Sequence, residues 1–183
     1  LIESNQLPST KKILALTFSV NASLKIKSEI LDQLGALFTG QTALKLITQR
    51  VETTNYHGFG RHVLTLYGYL VHTNLVHVNQ FKVIDETSKS DLKDLQLKDD
   101  EKEFLESYAG SLKTIGKSGV NTTRVAKFLN ENREQYINIL LEKFIPNNYL
   151  TYNGILILAL ALFDNFPQIA SFYQSYFPII FVD

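Results

Sequence analysis

In YHGFGRHVLTL, residues 56–66, His57, Gly58, Gly60, Arg61 and His62 lie close together, and these residue types can hold a phosphate. Glycine lets backbone amides approach an anion closely, and the arginine adds charge. A dinucleotide fingerprint would need a third glycine where Val63 stands, and a strand running into a helix. The flanking runs read instead as two strands. TTNYHGFG is therefore expected to be a long hairpin loop, with Asn55, Gly58 and Gly60 in the demanding dihedrals.

Other motifs are incomplete. In AGSLKTIGKSG one residue too many separates Gly110 from Gly116-Lys117-Ser118 for Gly-x-x-x-x-Gly-Lys-Ser/Thr, so the amides would not converge on one phosphate. A flexible inter-helix loop is expected there. His57, His62, His72 and His77 do not supply three convergent ligands with an open position, so no metal is expected. The chain has no cysteine, no Gly-x-Ser-x-Gly and no His-Glu-x-x-His, which removes thiol chemistry and the commonest hydrolase signatures. Asp164, closing an apolar run, reads as a cap or chain-end carboxylate. Neither a catalytic residue nor a cofactor is assigned.

His57-Gly58-Phe59-Gly60 resembles the first half of the main ribonucleoprotein signature of the RNA-recognition motif, a basic residue followed by Gly-Phe-Gly. Arg61 and His62 then stand where that family has an aromatic and a valine, and Leu64 where it has its last aromatic. The resemblance implies a nucleic-acid-contacting module using His57, Phe59 and Arg61, with Lys45 and Arg50 on the same sheet. That family's second helix should follow at once, yet another strand-like run follows here.

The positioning elements read as follows. KKILALTFSV (11–20) is a strand, and Asn21 or Ser23 caps a helix carrying Ile26, Ile30, Leu34 and Leu37 on one face, ending near Gly40. TALKLITQRVE (42–52) fits helix or strand, and strand is preferred. RHVLTLYGYLV (61–71) and LVHVNQFKVID (75–85) read as strands of a hairpin turned at HTN. Acidic Asp99–Glu101 opens a helix bearing Phe104, Tyr108, Leu112 and Ile115, and a second helix over 122–145 stops at Pro146. The run 149–183 starts as an element enclosed on all sides.

The expected fold is α+β: a small mixed β-sheet (β-α-β-β-β) in the N-terminal half, with a mainly α-helical C-terminal half. Residues 1–10 are read as a flexible segment, 11–85 as the sheet unit and 86–183 as a helical layer packed on it, together one compact domain. GILILALALF is too short for a membrane span, which takes about twenty apolar residues.

Eighteen basic residues balance eighteen acidic ones among 183, so no whole-molecule field draws the protein to nucleic acid or anionic lipid. The balance is uneven: residues 1–84 hold eight Lys/Arg against four Asp/Glu, and 85–183 hold ten against fourteen. The sequons at 21–23 and 121–123 are read as chance triplets, and the cysteine-free composition fits an intracellular location. Aromatic surplus in the tail then gives the main functional expectation. This is a non-enzymatic protein-binding or assembly subunit, meeting a partner or a second copy through Phe172, Tyr173, Tyr176, Phe177 and Phe181. Nucleic-acid contact at HGFGR and carriage of an apolar ligand are the alternatives.

Overall fold

A computed structural model describes residues 7–114 and 122–182. Part of the expected flexible segment (1–6), the Gly116-Lys117-Ser118 triplet and the first residue of the second sequon lie outside the described residues. The chain is α+β, with two small parallel sheets and a mainly helical remainder. It divides into two compact units, Leu1–Gly60 with Phe163–Asp183, and Arg61–Leu162. Residue 85, where the composition changes, lies within the second.

In the first unit the short apolar run Ile13–Thr17 forms β1, whose Leu14, Ala15 and Thr17 are buried. Val20–Leu37 forms α1, because Ser19 adopts an extended cap and its hydroxyl oxygen accepts the Ala22 N–H at 3.1 Å. The sequence pointed to Asn21 or Ser23 as the cap; the helix starts earlier. Gly40–Arg50 is helix α2, which corrects the expected strand at 42–52, and only Val51–Asn55 is extended, as β2. Parallel pairing of β2 with β1 and of β1 with β5 (Ile179–Val182) gives the order β2-β1-β5. β1 is thus central, and β2 and β5 are the edges.

The segment read as a glycine hairpin is helical. Tyr56–Tyr67 forms α3, and Asn55 Oδ1 accepts the Gly58 N–H at 2.7 Å as a cap would. A Cβ on Gly58 would come within 2.7 Å of Thr54 Oγ1 and 2.8 Å of Asn55 Oδ1, so the glycine makes room for the cap rather than reversing the chain. Also in this unit, Pro167–Tyr176 forms α8 with proline in its first turn, burying Ile169 and Tyr173.

In the second unit Val63 and Leu64 are fully buried on α3, so the strand expected at 61–71 is corrected to helix. The strand expected at 75–85 is a 3₁₀ segment, Thr73–Gln80, followed by the three-residue β3, Lys82–Ile84. β3 pairs in parallel with β4, Tyr149–Thr151. A short helix α4 (Lys89–Leu92) leads through a 3₁₀ turn to α5 (Asp99–Thr114), whose acidic first turn suits the helix dipole. α6 (Thr122–Ile139) continues through a wider turn at Leu140–Phe144, and a 3₁₀ turn holding Pro146 ends it. α7 (Tyr152–Asn165) buries Ile155, Leu158 and Leu162, as its apolar sequence requires, and Asp164 is exposed near its end. No single helix among the described residues is long and apolar enough to cross a membrane.

Arg61 is spent inside this unit. Its guanidinium donates to the carbonyls of Val78, Asn79 and Phe81 at 3.1, 3.2 and 3.3 Å, tying α3 to the end of the 3₁₀ segment. Arg61→Ala is expected to lower stability by about 1.5–3 kcal/mol, the range for hydrogen bonds to charged groups, and to leave oligonucleotide affinity unchanged. Denaturant midpoints and a binding titration of the same variant check both halves.

Candidate nucleic-acid interface

Ligands of parallel α/β sheets gather at the carboxyl ends of the strands. At that edge of the first unit, β1 ends at Thr17, and Phe18 and Ser19 lead into α1. Thr17 is wholly buried and its hydroxyl donates to the Ser19 carbonyl oxygen at 2.8 Å, fixing the turn from strand to helix. Phe18 stands out of that turn with 79% of its surface exposed, more than any other large apolar residue among those described. Placing this ring in water costs hydrophobic free energy that a packed position would have recovered. Nothing in the strand-to-helix turn packs against most of its surface.

The surroundings of Phe18 are apolar and polar by turns. Val20 and Leu24, one turn apart on α1, extend the exposed apolar surface, and Asn21 adds an exposed polar side chain. Ser19 satisfies the Ala22 amide, whereas the amides of Val20 and Asn21 have no intrahelical acceptor by helix geometry. Such a helix start favours a phosphate oxygen.

At the end of β2, His57 is half-buried in the first turn of α3, and burial holds its imidazole below the ordinary value of 6.5. Protonation is therefore easier in the unfolded chain. The sign follows: the His57 contribution to stability is complete above about pH 6.5 and is lost as pH falls toward the depressed folded value. The melting temperature is expected to fall on acidification through this window, less steeply in His57→Gln.

The residues singled out from the sequence are dispersed. Phe59 is half-buried, with its ring centroid 5.3 Å from Tyr173 and 6.3 Å from Phe177 in edge-on contacts. The Arg50 guanidinium donates to the Leu7 carbonyl. Lys45 is exposed on α2, a helix rather than the sheet position inferred for it. In the tail, Tyr173 and Phe177 are buried, Tyr176 is half-buried and stacks on Phe172 at 5.8 Å, and Phe172 and Phe181 are exposed. The tail rings thus divide between packing and surface. Sequence reasoning missed Phe18, although its signal was present: an aromatic directly between a strand's last threonine and a serine able to cap a helix.

The structural basis of the ribonucleoprotein resemblance also changes, since Gly58, Phe59 and Gly60 lie on a helix and not on a sheet. Among the described residues no cluster of His, Asp or Glu could hold a metal ion.

A protein-family model described as the UvrD/REP helicase N-terminal domain matches residues 1–183. No curated protein matches the chain. The family match overturns the expectation of a non-enzymatic assembly subunit whose main partner is a protein, and the apolar-ligand carrier with it, because a helicase works on nucleic acid. The balanced net charge misled here, because it describes the whole molecule and not any local surface. From the first residue to the last, the chain belongs to the UvrD/REP helicase N-terminal domain family.

Proposed function

We propose that this chain is a nucleic-acid-contacting part of a helicase, and that a single strand passes over the carboxyl edge of the β2-β1-β5 sheet. The observation that carries this reading is Phe18, exposed at the end of the central strand and followed at once by the capped start of α1. A base stacks on the Phe18 ring. The neighbouring phosphate meets the Val20 and Asn21 amides, and the apolar surface of Val20 and Leu24 lies beside the sugar.

Every base has a π-face, so this mode of contact tolerates any sequence, as a strand-separating protein requires. The rigid support comes from below: buried Thr17 holds the turn, and Leu14 and Ala15 anchor β1 in the core. An intracellular location goes with this reading, since nucleic acid is the substrate. The test is the affinity of Phe18→Ala for a labelled single-stranded oligonucleotide.

A further inference from the structure

The second unit holds a cleft of about 510 Å³ formed by α4, the 3₁₀ turn after it and the first half of α5. Buried Leu92 and Leu97 contribute its apolar lining, and Lys89, Lys93 and Lys102 its charge. Lys89 and Lys93 are four residues apart along a continuous helical turn, so they share a face. Like charges at this spacing repel, and an anion between them removes the repulsion. Lys102 is paired with Asp99 at 2.9 Å, whereas Lys89 and Lys93 have no carboxylate partner among the described residues. Glu106 also lines the cleft, leaving the ammonium groups in excess.

The chain path explains how the lysines come to one cleft. Gln96, which lines the cleft, has φ 48° and ψ 41°, a left-handed conformation that a residue with a Cβ rarely adopts. It redirects the chain from the 3₁₀ turn toward α5, bringing Lys93 and Lys102 to one cavity. Gln96 is the cap that ends the 3₁₀ turn, a place where left-handed backbone is common.

We propose that this cleft is a phosphate-binding site, with Lys89 and Lys93 as the primary ligands, Lys102 as a third charge and the leucine pair against the attached organic group. The phosphate belongs either to a nucleic-acid strand or to a small polyphosphate, and two arms of one experiment separate these sources. In the first, binding of a labelled oligothymidylate is followed across salt concentration for the parent and for Lys89→Gln/Lys93→Gln. Each single-strand phosphate contact contributes about 0.7 to the slope of log affinity against log salt, so losing two makes it shallower by about 1.4. In the second, inorganic pyrophosphate is titrated while the amide resonances of Lys93 and Gln96 are recorded.

A shallower slope identifies the nucleic-acid backbone; an unchanged slope with resonances that shift in the parent and not in the glutamine variant identifies the small polyphosphate. Lys89→Arg/Lys93→Arg is expected to retain whichever response is seen, and equal melting temperatures exclude misfolding. The site is overturned if neither the slope differs nor the resonances move. Phe18→Ala lowers affinity without changing the salt slope, so failure of this site and failure of the stacking surface are told apart.

Discussion

Replacing Phe18 by alanine is expected to weaken binding of a single-stranded oligonucleotide about 5- to 150-fold, the equivalent of the roughly 1–3 kcal/mol that one stacked base supplies. The ring is exposed and its neighbours in β1 are already packed, so the substitution removes a binding group and leaves the fold intact. The melting temperature should stay within about 2 °C of the parent, as for a surface change of under 0.5 kcal/mol. Phe18→Trp should retain or strengthen binding, because the larger ring keeps the stacking face. Loss of affinity in the tryptophan variant as well would point to a steric role and away from stacking.

The largest expected effect on stability lies at Tyr136. Its ring is fully buried and stacks on Tyr108 at 4.6 Å, while its hydroxyl shares a 2.7 Å hydrogen bond with Thr151 and lies 3.4 Å from Glu86 Oε1. Burial first, and then the Glu86 charge, pushes the phenol well above its ordinary value, so it stays protonated and can donate. Thr151 Oγ1 also accepts the Gly154 N–H at 2.8 Å, capping α7, and Asn153 donates to Glu86. One polar cluster therefore joins α6, the segment just after β3 and the β4-to-α7 turn.

Tyr136→Ala is expected to cost about 3–5 kcal/mol through the cavity left by the ring. Tyr136→Phe keeps the packing and removes one hydroxyl, leaving buried Glu86 one donor fewer, at about 1–3 kcal/mol. Denaturant unfolding of both variants separates the two contributions. A loss below about 1 kcal/mol for the alanine variant would show that the ring is not the packed centre described here.

Legibility in the sequence followed how well local pattern agreed with tertiary setting. β1 was readable as a short apolar run with β-branched and aromatic content and α1 from its apolar face at helical spacing, and α5 because its acidic first turn and apolar stripe coincide. α7 was readable as a buried element from an apolar surface too continuous to face water. Around Tyr56 the pattern misled. Val63, Leu64 and Tyr67 suit a strand by residue type, but Val63 and Leu64 are buried on a helix, where tertiary packing outweighs propensity.

Gly58 and Gly60 looked like chain breakers because glycine usually is one. The helical use of Gly58 goes with the Asn55 side chain accepting its amide N–H, a cap visible only once β2 is known to end at residue 55. The interface was harder still. Phe18 was counted as part of the strand, and exposure cannot be read from residue type. Aromatic abundance drew attention to the tail, where Tyr173 and Phe177 are committed to packing.

Photo-cross-linking with a bromouracil-substituted single strand tests the central claim most directly, since adducts form with the ring stacked on the base. The account predicts the adduct on the tryptic peptide 13–25, at Phe18. An adduct confined to the peptide 144–183, which carries Phe172 and Phe181, with none on 13–25, would contradict it.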